Sequence, residues 1–123
     1  MARILLTEDD RSLRLFLCRA LEQAGHEVIQ AEDGQAALPL IEGAKIDLLL
    51  TDIVMPGIDG IELAQRAREL IPDLRVLFIT GFAAVALDRT DALSDVRVMS
   101  KPFHLRDLVS EIGHMFQPDA DAN

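Results

Sequence analysis

The chain has 123 residues, half of them apolar, with 21 acidic against 12 basic side chains and a formal net charge of −9. That length fits one domain, and the apolar fraction is enough for a core without disulfides or a structural metal, which argues against intrinsic disorder. The charge repels a nucleic-acid backbone over most of the surface, and the longest uncharged stretch, residues 76–87, is shorter than the roughly 20 residues that a membrane-crossing helix needs.

Residues 3–7 read as a first strand. Its apolar part, Ile4-Leu5-Leu6, gives way at once to Thr7-Glu8-Asp9-Asp10, too short for the apolar region of a secretory signal, so a cytoplasmic protein is expected. Leu13, Leu17, Ala20, Leu21 and Ala24 then recur at intervals of three and four and predict a helix closing at Gly25. Cys18 lies within it and is alone in the chain, so it can form neither an intramolecular disulfide nor a Cys-based zinc site and reads as a small core residue.

Residues 27–31 are a second strand. The helix expected near 35–42 places Ala36, Ala37, Leu40 and Ile41 on one face, but Pro39 lacks a donor and crowds the carbonyl four residues back, which predicts a kink or a late start. Residues 48–51 are apolar nearly throughout, as in a central strand buried on both faces, and lead into Asp52. After the turn Met55-Pro56-Gly57, a helix from Gly60 presents Ile61, Ala64, Ala67 and Ile71 and stops at Pro72. A fourth strand covers 76–80, a poorly capped helix 83–91 and a fifth strand 96–100. Leu105, Leu108, Val109, Ile112 and Phe116 mark a last helix, stopped by Pro118. The expected organisation is one domain over residues 1–117 and a short polar tail over 118–123.

Strands and helices in strict alternation predict an α/β fold with a doubly wound five-stranded parallel sheet, order 2-1-3-4-5, of the flavodoxin-like kind. Ligands in such sheets bind at the carboxyl ends of the strands, and the polar residues of this chain collect there: Glu8-Asp9-Asp10, Asp52, Thr80 and Ser100-Lys101-Pro102. With the first and third strands adjacent, Glu8, Asp9 and Asp52 share a pocket, where like charges repel unless a cation or proton intervenes. A hard dication answers this, and Mg²⁺ takes one or two carboxylates while leaving positions for water and phosphate. Thr80 offers a hydroxyl and Lys101 a compact positive charge for phosphoryl oxygens, and Asp52 is placed to accept a phosphoryl group as an aspartyl-phosphate.

Other chemistries fit less well. A haloacid-dehalogenase-type phosphatase also uses an aspartate after a buried strand, but wants a second aspartate two residues on, where Val54 stands. A nucleotide or flavin binder needs a phosphate-cradling loop after the first strand, where Glu8-Asp9-Asp10 would repel phosphate. His26, His104 and His114 lie in different elements without a pair at ligand spacing, which disfavours a histidine-based metal hydrolase.

Residues 3–116 resemble a response-regulator receiver domain of two-component signalling. The resemblance is carried by Ile4-Leu5-Leu6-Thr7-Glu8-Asp9-Asp10, by Leu49-Leu50-Thr51-Asp52-Ile53-Val54-Met55-Pro56-Gly57-Ile58-Asp59-Gly60, by Phe78-Ile79-Thr80-Gly81 and by Ser100-Lys101-Pro102-Phe103. It implies that Asp52 is the phosphoacceptor, that Glu8 and Asp9 form the acidic pocket, and that Mg²⁺ is held by Asp9, Asp52 and the backbone carbonyl of Val54. It further implies Thr80 as the switch hydroxyl, Lys101 as the phosphate-contacting lysine, a cis Lys101-Pro102 peptide, and a histidine kinase or histidine phosphotransferase as phosphodonor. Such a protein is no enzyme in the ordinary sense and catalyses only its own phosphorylation and dephosphorylation.

The aromatic switch residue that many receivers carry three positions before the lysine is here Val98, which cannot swing a ring between two pockets. The segments Thr51-Asp52-Ile53-Val54-Met55-Pro56, Ile79-Thr80-Gly81-Phe82-Ala83-Ala84-Val85-Ala86-Leu87 and Ser100-Lys101-Pro102-Phe103-His104-Leu105-Arg106-Asp107-Leu108 further resemble stand-alone CpdR-type receivers of alphaproteobacteria. That group implies a phosphorylation-controlled adaptor of the ClpXP protease in cell-cycle control, active when unphosphorylated, with Phe82 and the face around Val98 and Pro102 as output surface. A phosphate sink or phosphorelay intermediate is the alternative role for a stand-alone receiver.

Overall fold

The structure, a computed structural model, describes residues 1–43, 45–81, 93 and 95–116. Its described elements are β1 (Arg3–Thr7), α1 (Arg11–Gln23), β2 (Glu27–Ala31), α2 (Gly34–Gly43), β3 (Leu48–Asp52), α3 (Gly60–Leu70), β4 (Arg75–Thr80), β5 (Val96–Ser100) and α4 (Leu105–Met115). The helix expected over 83–91 and the tail 118–123 lie outside the described residues.

All five strands run parallel in the order β2-β1-β3-β4-β5, as expected from the alternation of elements. Every residue of β3 is buried, because this central strand is covered on both faces. Side chains alternate across the sheet. Leu5, Leu49, Val76 and Phe78 face α2 and α3, where they meet Ala37, Ile41, Ile61, Ala64 and Ala67. Ile4, Leu6, Leu48, Leu50, Leu77 and Ile79 face α1 and α4, packing on Leu17, Leu21, Leu108 and Ile112. Each fully buried aliphatic side chain of this kind contributes about 1.5–3 kcal/mol. Cys18 is one of these core residues, as its place in the sequence suggests.

Local signals set the helix ends. Asp10 and Asp59 cap α1 and α3 by accepting from the N–H groups of Leu13 and Glu62. Beyond α1, Gly25 takes φ +96°, its N–H donates to the Glu22 carbonyl and that of His26 to the Leu21 carbonyl, the bond pair that closes a helix on a left-handed residue. Of the two outcomes expected from Pro39, a kink or a late start, the late start does not occur. Asp33 accepts from Ala36 N–H at 2.8 Å and starts the helix at Gly34, and the helix runs through Pro39 to Gly43. The proline forfeits one backbone bond, while the buried Ala37 and Ile41 fix the segment on the sheet.

Candidate functional site

The parallel sheet brings the carboxyl ends of β1, β3, β4 and β5 to one edge. Glu8 follows β1 directly, and its N–H donates to the Ala31 carbonyl of β2, so this residue continues the sheet. A carboxylate in a loop ordinarily stays in water, yet Glu8 is 0 % exposed and Asp52, the last residue of β3, only 7 %. Asp9 remains exposed. One carboxylate oxygen from each of Glu8, Asp9 and Asp52 lies within 4.8 Å of the others.

Lys101 enters this cluster from the loop after β5. Its Nζ donates to Asp52 Oδ2 at 2.9 Å and to Glu8 Oε1 at 3.1 Å. Its backbone N–H donates to the Thr80 carbonyl at 2.7 Å, which ties the lysine to the end of β4, and the Lys101–Pro102 peptide is cis. Thr80 is itself buried and lies beside Ser100 in the β4–β5 register. Val54, whose side chain is exposed, donates its N–H to Asp52 Oδ1 at 3.3 Å. Val98 is half-buried against the α2–α3 side of the core, and Pro102 is exposed. Of the residues singled out in the sequence, Glu8, Asp9, Asp52 and Lys101 thus meet, with Thr80 and Val54 adjoining them. Phe82 lies outside the described residues.

The electrostatics follow from burial. Desolvation, the hydrogen bond with Asp9 and the negative charge of Asp52 together push the Glu8 carboxyl up to about 7, against the opposing pull of Lys101. Burial alone would push the Lys101 ammonium down, but its hydrogen bonds to Asp52 and Glu8 outweigh that and hold it above the ordinary lysine value. Glu8 therefore keeps a proton in the folded protein that it loses near pH 4.5 when unfolded. In metal-free buffer its contribution to stability should be full below pH 4.5 and decline as pH rises towards 7. Thermal melts of wild type and Glu8→Gln across this range test it: the difference between the two should move in the variant's favour as pH rises. A constant difference would refute the assignment.

An all-oxygen acidic cluster suits a hard dication. Ligand oxygens around an octahedral Mg²⁺ at about 2.1 Å stand about 3.0 Å apart when adjacent and about 4.2 Å apart when opposite, and these three carboxylate oxygens, within 4.8 Å of one another, would draw together to hold the ion. Sequence reasoning missed two supports of this site. Gly60 brings the start of α3 against the Asp52 backbone, and Arg14 donates from Nη1 to the Glu8 carbonyl at 2.7 Å. The glycine after the capping Asp59 was a possible signal for the first. The second had none, because Arg14 four residues after Asp10 reads as a helix-surface cation.

Residues 4–113 match the response regulator receiver domain family. The chain belongs to that family. Comparison with individual proteins agrees. The receiver is 58 % identical to the response regulator receiver protein CpdR of Brucella abortus over 94 % of this chain and 97 % of that protein. It is 34 % identical to the sensor kinase CckA of the same organism, again over 94 % of this chain but only 13 % of the kinase. Among solved structures, the receiver domain of the hybrid histidine kinase CckA superposes with a TM-score of 0.82 at 34 % identity, covering 94 % of this receiver and 99 % of that chain. The chemotaxis protein CheY4 of Vibrio cholerae gives 0.86 at 26 % identity over 93 % and 98 %.

Proposed function

We propose that this receiver, over residues 1–117, accepts a phosphoryl group on Asp52 in a Mg²⁺-dependent reaction and signals through a protein–protein surface. The observation that carries the reading is the convergence of Glu8, Asp9 and Asp52 with Lys101 Nζ at 2.9 Å from the Asp52 carboxylate. Asp9 and Asp52, with the Val54 carbonyl and with Glu8 at the rear of the pocket, would hold the ion. When bound, Mg²⁺ offsets the charge of the incoming phosphoryl oxygens.

The chain's own part is positioning and charge. Asp52 Oδ attacks phosphorus as the bond to the donor breaks, and the donor departs with its electron pair. Lys101 stands ready to exchange a carboxylate contact for a phosphoryl oxygen, and the Thr80 hydroxyl supplies a second donor. A phosphohistidine of a histidine kinase or histidine phosphotransferase is the donor class. In dephosphorylation, water would attack phosphorus as the bond to Asp52 Oδ breaks, releasing inorganic phosphate and restoring the carboxylate, so that in this reading the receiver catalyses only its own phosphorylation and dephosphorylation.

Hydrogen bonds to a charged group are worth roughly 1.5–3 kcal/mol each, so the Thr80 bond alone, made in one state and absent from the other, would shift a two-state surface by about one to two orders of magnitude. The 58 % identity to the receiver protein CpdR over 94 % of the chain agrees with the resemblance drawn from the sequence, and on that resemblance rest an adaptor role in ClpXP-dependent proteolysis and the cell cycle, in the cytoplasm, and an output surface around Thr80, Phe82, Val98 and Pro102. No helix among the described residues is long and apolar enough to cross a membrane.

Incubation with acetyl phosphate and Mg²⁺ tests the chemistry. Intact mass should rise by about 80 Da, the increment of one phosphoryl group. Steady release of phosphate without an adduct would point to a phosphatase instead. In Lys101→Ala the adduct should form at least about 10²-fold more slowly, the usual loss when a donor aimed at developing charge is removed. An unchanged rate would remove Lys101 from the machinery.

A further inference from the structure

Asp9 is the exposed member of the acidic cluster, and residue 14 bonds to both of its neighbours. The Arg14 backbone N–H donates to the Asp10 carbonyl at 2.9 Å, the first backbone bond of α1, which any residue but proline at this position would make. The Arg14 guanidinium donates through Nη1 to the Glu8 carbonyl at 2.7 Å, a bond that depends on this side chain. The Glu8 carbonyl belongs to the planar peptide that joins Glu8 to Asp9, so its direction fixes the plane from which the Asp9 side chain departs. On the other side, the Glu8 N–H is tied to the Ala31 carbonyl at 3.2 Å. Asp10 in turn is held by its cap on α1, and its N–H donates to Glu8 Oε2 at 3.3 Å.

The two cations near the cluster differ in kind. Lys101 bonds to the carboxylate oxygens of Glu8 and Asp52 themselves, so it stands where an ion or a phosphoryl group would also seek oxygens. Arg14 bonds to a backbone carbonyl and leaves the carboxylates to other partners, so its contribution is the geometry of the loop. The Glu8–Asp9 peptide is thus held in place before any cation arrives, as an outer partner holds a metal ligand in its binding geometry.

We propose that Arg14 is a positioning residue for divalent-cation binding: it clamps the Glu8–Asp9 peptide and so sets the affinity of the acidic cluster for Mg²⁺. This rests on Glu8, Asp9 and Asp52 being the cation site. The test is calorimetric Mg²⁺ titration of wild type, Arg14→Ala, Arg14→Lys and Asp9→Ala, with the Mg²⁺ dependence of adduct formation from acetyl phosphate measured in parallel. Arg14→Ala should raise the Mg²⁺ dissociation constant about tenfold, the lower end of what loss of a ligand-orienting partner usually costs. At saturating Mg²⁺ its maximal rate of adduct formation should stay within about twofold of wild type, because the clamp acts on ion binding alone. Arg14→Lys, which keeps the charge and one donor, should recover part of the affinity.

Unchanged Mg²⁺ affinity in Arg14→Ala, with affinity lost in Asp9→Ala, would overturn the role of Arg14 and leave the site standing. Unchanged affinity in both would overturn the site itself. A maximal rate that falls while the Mg²⁺ requirement does not would make Arg14 a structural residue and likewise overturn the proposal. If Arg14→Ala fails to fold, Arg14→Lys carries the test: Mg²⁺ affinity intermediate between wild type and Asp9→Ala supports the clamp, and wild-type affinity refutes it.

Discussion

Asp52→Asn should yield no phosphoryl adduct with acetyl phosphate and Mg²⁺, a loss of at least about 10³-fold in labelling rate, while the fold survives. The amide is close to isosteric with the carboxylate but is not a nucleophile, and it withdraws one negative charge from the cluster. Asp52 is one of the causes that raise the Glu8 carboxyl, so the substitution also relieves repulsion within a buried pocket. Lys101 keeps Glu8 as a partner. The melting temperature of the variant in metal-free buffer should therefore equal or exceed that of wild type even as reactivity vanishes. Labelling at the wild-type rate would place the acceptor elsewhere, and a large drop in stability would show that Asp52 is needed for folding. The variant also isolates the unphosphorylated state. Binding of purified ClpX to wild type should weaken when acetyl phosphate and Mg²⁺ are added, and binding to Asp52→Asn should not respond. Identical responses would sink the phosphorylation-gated adaptor.

Gly60→Ala should be the most destabilising of the small substitutions near the site. A Cβ there would stand 2.1 Å from the Asp52 carbonyl oxygen and 3.0 Å from the Asp52 carbonyl carbon and the Ile53 Cα. All three are backbone atoms, so no rotamer change relieves the clash. The start of α3 must lift away, and the bond from Gly60 N–H to the Ile53 carbonyl at 2.8 Å stretches with it. Overpacking a tight site costs about 1–3 kcal/mol and occasionally more, and the better helix propensity of alanine returns at most about 1 kcal/mol. Because the clash is with main chain, a net loss of about 3 kcal/mol is expected, or a fall in Tm of about 10 °C. Gly113→Ala is the control. It sits inside α4 with nothing within 4 Å of the added Cβ and should stabilise by about 0.5–1 kcal/mol. Equal melting temperatures for Gly60→Ala and wild type would refute the close approach.

Gly60 also bears on function, because the atom it clears belongs to the residue proposed to accept the phosphoryl group. Lifting α3 displaces the end of β3 and with it the Asp52 carboxylate, whose Oδ1 already accepts from the Val54 N–H. Residual folded Gly60→Ala should accordingly be labelled more slowly than wild type at equal concentration of folded protein.

The strands and their polar ends were legible from the residues alone, since both signals are local. A short run such as Leu48-Leu49-Leu50 between helical patterns fits a strand covered on both faces, and the side chain that breaks the run marks the sheet edge. Parallel connection then fixes that all such ends lie on one edge, which is why Asp9, Asp52, Thr80 and Lys101 could be grouped before any distance was known. The caps Asp10 and Asp59, which the structure showed, are local too, because a cap bonds three residues ahead.

Tertiary structure alone decided what depends on distance between elements remote in sequence. The complete burial of Glu8 arises because its backbone extends the pairing with β2 while Lys101, 93 positions on, closes over its carboxylate. The passage of α2 through Pro39 was settled by the packing of Ala37 and Ile41 on the sheet, which outweighs one lost backbone bond. Gly60 and Arg14 matter because of where the ends of β3 and β1 bring carbonyl groups, and a carbonyl leaves no mark in a sequence since every residue has one. Residue types thus determined which chemistry the sheet edge could hold, and the packing of backbone on backbone determined how closely that chemistry is arranged.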